Sequence, residues 1–288
     1  MQSEKLKTES EYMLEATDVC KTFGKGPRAV KAVQGISAKI RKGKTLGILG
    51  ESGSGKSTFG RCLLRLIEPD SGEIKFDGKV VSGIPQSAFR PNRRDMQMIF
   101  QNPFSSLNPK MSVGEAIEDP MKIWGLGDKE SRRKRVRELL DLVGINPNRS
   151  GAFPYEFSGG QQQRINIARA LSLDPKFIVC DEAVSALDVS IQAQIVNLLM
   201  DLQKQLGLTY LFISHNLGVV EYLADDVLIM QHGRLVEYAS TEEIFKNPKS
   251  EYTRNLIASV PAMPTVERLT ARIANGKGAA TGKSAVAG

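Results

Sequence analysis

Two hydrophobic periods divide this chain. From Tyr12 to Ile40 the apolar positions fall in strand-like runs, YMLEATDVCKTF and AVKAVQGISAKI, separated by the turn GKGPR, and this predicts an antiparallel ribbon. TLGILG at 45–50 is a short, continuous apolar run, the mark of a buried strand, and it leads directly into a glycine-rich loop. STFGRCLLRLI at 57–67 has helical spacing. EPDSGEIKFDG reads as turn, strand and turn, and DMQMIFQ at 95–101 as another buried strand. From about residue 102 the character changes to helices joined by Pro/Gly turns, SVGEAIEDPMKIWGLG and KESRRKRVRELLDLVGI. This predicts an inserted helical subdomain over about 102–172, whose last helix is GGQQQRINIARALSL. Then come a strand ending in two acids (KFIVCDE, 176–182), a long amphipathic helix (SIQAQIVNLLMDLQKQLG), a strand running to a histidine (LTYLFISH) and a hairpin around His232–Gly233. Strands alternating with helices predict a mainly parallel sheet with right-handed crossovers, an α/β fold.

Composition narrows this little. The 288 residues suit one large domain with an insert and a tail, and 41% apolar content supports a proper core. Residues 1–11 read as a charged, loose arm without the features of a secretory signal, and no apolar run is long enough to cross a membrane. The Ala/Gly/Lys-rich stretch 261–288 reads as a partly disordered extension. In its TGKS at 281–284 no glycine stands five residues before Gly282 and no strand precedes it, so it reads as linker. Cys20, Cys62 and Cys180 match no metal or disulfide spacing and read as reduced thiols. The net charge of +7 is concentrated partly in DKESRRKRVRELLD, with acids close by. No basic stripe is interleaved with aromatics, so no nucleic-acid partner is expected.

The chemistry lies in two glycine-bearing segments and two strand ends. Gly50-Glu51-Ser52-Gly53-Ser54-Gly55-Lys56-Ser57-Thr58 fits the phosphate-binding pattern G-x-x-x-x-G-K-[ST], with a buried strand before it and a helix after it. Its glycines leave backbone N–H groups free to face an anion, Lys56 can reach β/γ-phosphates, and the Ser57 hydroxyl can ligate Mg²⁺. Asp181 and Glu182 close a strand at the sheet edge where ligands bind in such folds. Asp181 suits the metal shell and Glu182 suits positioning of an attacking water. His215, at the same edge, is a candidate γ-phosphate contact, and the Gln101 amide a candidate for the metal shell and the attacking water. The second segment is PYEFSGGQQQR at 154–164. Ser158, Gly159, Gly160 and Gln161 form a second helix start fitted to an anion, and one nucleotide does not need both.

In order along the chain, GESGSGKST, QNPFSSLNP, FSGGQQQR, FIVCDE, SALD at 185–188 and His215 resemble the motif set of ABC transporter ATP-binding subunits, over about residues 12–260. The resemblance implies a P-loop ATPase core with an antiparallel β subdomain and an inserted helical subdomain. It also implies ATP and Mg²⁺ as ligands, and adenine stacking by Phe23. It further implies a head-to-tail pair of ATPase subunits in which residues 158–161 act on the partner subunit's ATP and Asp188 faces the same seam. Where the family usually carries proline this chain has Ala183, which should loosen that turn slightly while leaving both acids intact.

QNPFSSLNPKMSV, DEAVSALDVSIQAQIVNLL and SEYTRNLIASVP resemble the oligopeptide/dipeptide importer branch. That implies two membrane permeases, a second and often non-identical ATPase subunit, and an extracytoplasmic substrate-binding protein acting indirectly. It also implies a peripheral position on the cytoplasmic face of a bacterial inner membrane. Phe104 and Leu107 are the expected permease contacts. No cysteine follows Cys180, so no iron–sulfur cluster is expected. The competing classes are an exporter subunit and a soluble ATPase of the same family acting on nucleic acid or ribosomes. The second usually has two cassettes or a long coiled coil, and this chain shows neither.

Overall fold

The computed structural model describes residues 10–259. The expected N-terminal arm lies almost wholly outside the described residues, and the 261–288 extension with its TGKS lies entirely outside them. Strands β1 (Tyr12–Phe23) and β2 (Val30–Arg41) pair antiparallel, as the ribbon pattern predicts. The buried β3 (Thr45–Leu49) precedes helix α1 (Lys56–Leu63), and β4 (Ser71–Phe76) and β5 (Lys79–Val80) follow. Short helices α2 (Gln86–Phe89) and α3 (Asn92–Asp95) lead to β6 (Met96–Ile99). Four helices come next: α4 (Pro103–Ser106), α5 (Val113–Ile123), α6 (Lys129–Leu142) and α7 (Gly159–Leu171). The chain then runs through β7 (Phe177–Asp181), α8 (Val189–Leu206), β8 (Thr209–Ile213), α9 (Leu217–Leu223), β9 (Asp226–Gln231), β10 (Arg234–Ser240), α10 (Thr241–Lys246) and α11 (Glu251–Ala258).

The strands form two sheets, a four-stranded antiparallel one ordered β2-β1-β4-β5 and a six-stranded one ordered β10-β9-β3-β8-β7-β6. In the larger sheet β9, β3, β8, β7 and β6 are parallel and β10 joins its edge antiparallel. Every residue of β3, β7 and β8 is buried, as expected for strands covered on both faces. Alternation along these strands splits the core in two. Ile48, Phe177, Val179, Leu211 and Ile213 face α1 and the antiparallel sheet. Ile178, Cys180, Tyr210 and Phe212 face the opposite way, toward α5–α9.

Two expectations need correction. The helical spacing at 57–67 continues past the real helix, which ends at Leu63. Arg65 takes a left-handed conformation (φ 50°), and its buried guanidinium bonds to Glu68 and to the carbonyls of Val81 and Ile84 at 2.8 Å each. A side-chain network therefore ends a helix that local propensity would extend. His215 does not end β8 but lies two residues beyond Ile213, in the turn before α9.

The helix starts follow their sequence signals. Ser112 with Glu115, and Ser158 with Gln161, form reciprocal capping boxes at α5 and α7, and Asp128 caps α6. At α11 a strand residue lies close to the helix start. The buried carboxylate of Glu237 on β10 accepts the N–H groups of Lys249 (2.9 Å) and Ser250 (3.1 Å). Burial raises its pKa, but the two backbone N–H bonds and the nearby Lys249 charge oppose that, and the net direction is downward. A depressed folded pKa stabilises the fold above the ordinary carboxylate range, and this contribution disappears as pH falls through the folded value. Glu237→Gln should therefore cost about 1–2 kcal/mol at neutral pH, and this cost should shrink below about pH 4. Urea unfolding at the two pH values measures both.

Candidate functional site

The glycine loop is wedged between the two sheets. Gly50 (φ 149°) and Gly55 (φ 98°) occupy backbone regions that side chains rarely adopt. A Cβ on Gly50 would lie 2.1 Å from the Met230 carbonyl oxygen of β9, and one on Gly55 would lie 2.0 Å from the Ala32 carbonyl oxygen of β2. Gly53 faces open space, with nothing within 4 Å of an added Cβ. The buried Lys56 ammonium donates to the carbonyls of Gly50 (2.8 Å) and Glu51 (2.7 Å). Its burial lowers the lysine pKa, against the opposing charges of Glu182, Asp181 and Glu51. The hydroxyl of Ser54 is buried with no hydrogen-bond partner among the described residues, an inward-facing group in a loop whose backbone must hold one shape.

The strand ends bring the expected acids to this loop. Ser57 Oγ donates to Asp181 Oδ1 at 2.6 Å, joining the start of α1 to the end of β7. Asp181 Oδ2 also receives Arg61 at 3.3 Å. The sequence reading missed Arg61, although its place one helical turn after Ser57 puts it on the same face. Glu182 follows in a left-handed conformation (φ 49°). The turn is closed by its N–H to the Ile213 carbonyl (2.9 Å) and by the N–H and hydroxyl of Ser185 to its own carbonyl (3.0 and 2.9 Å). Strained backbone of this kind persists where surrounding bonds over-determine it. The Gln101 amide donates to Glu182 Oε2 at 2.7 Å, and His215 Nδ1 lies 3.7 Å from the same oxygen. The ends of β6, β7 and the turn after β8 thus converge on one carboxylate.

A cavity of about 630 Å³ lies over the loop and is bordered by Phe23, Ser52, Lys56, Thr58, Gln101 and Glu182. Phe23 is exposed and borders this cavity. Ser57 and Asp181 supply hard oxygen donors, which suit Mg²⁺, an ion that keeps waters and substrate phosphates in its shell. The Glu51 N–H donates to the Tyr252 hydroxyl of α11 at 3.4 Å, a contact that no motif signalled because α11 is remote in sequence.

Ser158, Gly159, Gly160 and Gln161 do not border this cavity. Ser158 Oγ accepts the Gln161 N–H at 3.4 Å and Gln161 Oε1 accepts the Ser158 N–H at 3.0 Å, which leaves the hydroxyl proton free to donate. A Cβ on Gly160 would meet Ile191 of α8 at 2.5 Å, and one on Gly159 would meet Phe104 and Leu187 at 3.5 Å. Leu107, expected as a permease contact, is only 2% exposed and packs in the core under α5–α9, so it is not available to a partner. Phe104, with 61% exposure, is.

Residues 33–185 match the model of the ABC transporter family, and residues 236–285 match that of the oligopeptide/dipeptide transporter C-terminal region. A Brucella ovis protein provisionally named a peptide import ATP-binding protein is 47% identical over 264 residues, covering 92% of this chain and 83% of that protein. The glutathione import ATP-binding protein GsiA of Salmonella paratyphi A is 51% identical over 239 residues, covering 83% of this chain but 38% of that longer protein. The chain belongs to the ABC transporter ATP-binding family. Among solved structures, the dimeric, post-hydrolysis ATP-binding cassette MJ0796 bound to ADP and Pi aligns with TM-score 0.72 and 29% identity, over 80% of this chain and 99% of that one. CbiO1 of Clostridium perfringens, part of the ABC transporter complex cbiONQ, aligns with TM-score 0.75 and 28% identity, over 88% of this chain and 97% of that one. This ABC ATPase therefore has the expected cassette fold, binds ATP and hydrolyses it.

Two substitutions test the loop. Gly55→Ala places a methyl group inside the Ala32 carbonyl, so it should abolish nucleotide binding or destabilise the chain by more than about 2 kcal/mol. Lys56→Ala should leave the fold intact and weaken ATP binding by at least about tenfold. Thermal unfolding with and without ATP, together with titration calorimetry, separates the two effects.

Proposed function

We propose that this ATPase drives an importer of the peptide/nickel type, working as one of two ATPase subunits closed head to tail beneath two permeases, and that residues of both subunits complete each nucleotide site. The observation that carries the hydrolytic part of this reading is the convergence of Gln101 and His215 on Glu182, beside the Ser57–Asp181 pair. Mg²⁺ held by Ser57 and Asp181, with Gln101 at the edge of its shell, would supply charge neutralisation to the phosphates when bound. Lys56 would exchange its bonds to the Gly50 and Glu51 carbonyls for phosphate oxygens. The loop N–H groups from Glu51 to Thr58 would line the same anion, and Phe23 would stack on adenine. Glu182 would accept a proton from the attacking water, oriented by the Gln101 amide. His215 would donate to the γ-phosphate.

The pair arrangement is supported by the second anion-fitted helix start, which does not border this chain's own cavity. Ser158, Gly159, Gly160 and Gln161 would complete the partner subunit's site through a free hydroxyl proton, backbone N–H groups and the positive end of α7. Asp188, at the start of α8, would sit at the same seam. The relatives named for peptide and glutathione import favour an importer, and the C-terminal region match favours the oligopeptide/dipeptide branch. No observation favours the alternative acting on nucleic acid or ribosomes. Among the described residues no helix is long and apolar enough to cross a membrane. The position proposed is peripheral, on the cytoplasmic face, beneath permeases served from outside by a substrate-binding protein. The permease face would be the groove of about 640 Å³ between the main sheet edge and α5, where Phe100, Met111, Ile123 and Trp124 offer apolar surface. Phe104 borders the adjoining loop.

Glu182→Gln should bind ATP and lower turnover by about 10²–10⁴-fold in the assembled complex. Wild-type turnover would refute the base assignment. With ATP and Mg²⁺, light scattering on a sizing column should show Glu182→Gln at twice the monomer mass if the seam is self-complementary. A monomer that still binds ATP would assign the second position to a non-identical subunit. Ser158→Arg should leave ATP affinity within about twofold and abolish that association, because a bulky cation at the helix start blocks the seam.

A further inference from the structure

The basic stretch DKESRRKRVRELLD is not used by the ATPase site, and the structure gives it a definite shape. A groove of about 620 Å³ runs between α5, α6 and the turn at Ser150–Gly151. Five cations border it, Lys122, Lys129, Arg132, Arg133 and Arg137, against two carboxylates, Glu115 and Glu118. Both carboxylates are already engaged. Glu118 pairs with Arg132 at 3.0 Å and with Lys122 at 3.1 Å, and Glu115 accepts the Ser112 N–H and hydroxyl at 2.9 Å each. Lys129, Arg133 and Arg137 are exposed, and among the described residues no carboxylate lies within ion-pair distance of them. They follow one another at a spacing of four on α6, one per turn, about 6 Å apart along the axis. Like charges at that spacing repel, so the row weakens its own helix unless an anion lies along it.

We infer that this groove binds the phosphate groups of anionic phospholipids at the membrane surface. Two observations choose this occupant. Val136 is the one large apolar side chain bordering the groove, so a peptide would find little to bury there, whereas a headgroup phosphate needs only charge and hydrogen bonds. The same helix α5 also borders the apolar groove proposed above as the permease face, presenting Ala116, Pro120 and Ile123 there and Glu115, Glu118 and Lys122 here. A permease seated on the first groove would have the second beside it, across α5. This placement rests on the importer reading, whereas binding to vesicles needs no permease and is decided independently of it.

The full chain is co-sedimented with phosphatidylcholine vesicles, with and without phosphatidylglycerol, at physiological salt. The wild type should partition onto the anionic vesicles only. Replacing Lys129, Arg133 and Arg137 together by Gln should lower that partition by about a hundredfold, because each basic residue near an anionic surface contributes about fivefold. Replacing the three by the other basic type (Lys129→Arg, Arg133→Lys, Arg137→Lys) should retain it. A control variant with Lys79, Lys204 and Lys246 all changed to Gln should bind as the wild type does. Circular dichroism and ATP binding confirm that each variant is folded. Equal losses in the groove and control variants would overturn the site in favour of diffuse charge. So would absence of wild-type binding. Displacement from vesicles by an equal concentration of glycerol phosphate would overturn the lipid as occupant in favour of a soluble phosphate ester.

Discussion

The arrangement of the candidate site depends on the fit of one loop between two sheets. Gly50 lies against the Met230 carbonyl of the main sheet, and Gly55 against the Ala32 carbonyl of the antiparallel sheet, at distances that exclude a Cβ. Neither sheet alone defines the loop. The antiparallel sheet carries Phe23, and its second strand is also one of the two walls that set the curve of the glycine loop. The buried core around α1, built from both sheets, holds those walls at a fixed separation. The ammonium of Lys56 then fixes the loop from inside, through the carbonyls of Gly50 and Glu51.

From that fixed loop the chemistry spreads along adjacent strand ends. The hydrogen bond from Ser57 to Asp181 links the first element after the loop to β7, and β7 places Glu182 one residue further on. The left-handed backbone of Glu182 turns its carboxylate toward Gln101 on one side and His215 on the other. Gln101 in turn opens the connection to the helical region. Gln101, which donates to Glu182, is therefore three residues from Phe104, which packs near Gly159. The two anion-fitted helix starts are thus joined by a short, continuous run of contacts.

Much of this was legible in the sequence, because it rests on local chemistry. A buried strand followed by G-x-x-x-x-G-K-S can hardly do anything else, and paired acids at the end of an all-apolar run declare both the strand and its edge. What was not legible depends on distant partners. Nothing near Arg65 indicates that it would meet the carbonyls of Val81 and Ile84, beyond β5, and so end α1 early. Leu107 was expected to meet a permease, but the packing of α5–α9 buries it. Tyr252 reaches the glycine loop from two hundred residues away. Arg61 was available from helical periodicity and was overlooked because no motif includes it.

The close approach of Gly160 to Ile191 has a consequence for how such chains can change over time. With 2.5 Å between an added Cβ and the Ile191 side chain, positions 160 and 191 are not free to drift independently. A larger residue at one requires a smaller one at the other. A pair thirty-one positions apart in the chain should therefore leave a mark of correlated substitution across relatives, and the same mark locates the joint between the start of α7 and the start of α8 without any structure in hand.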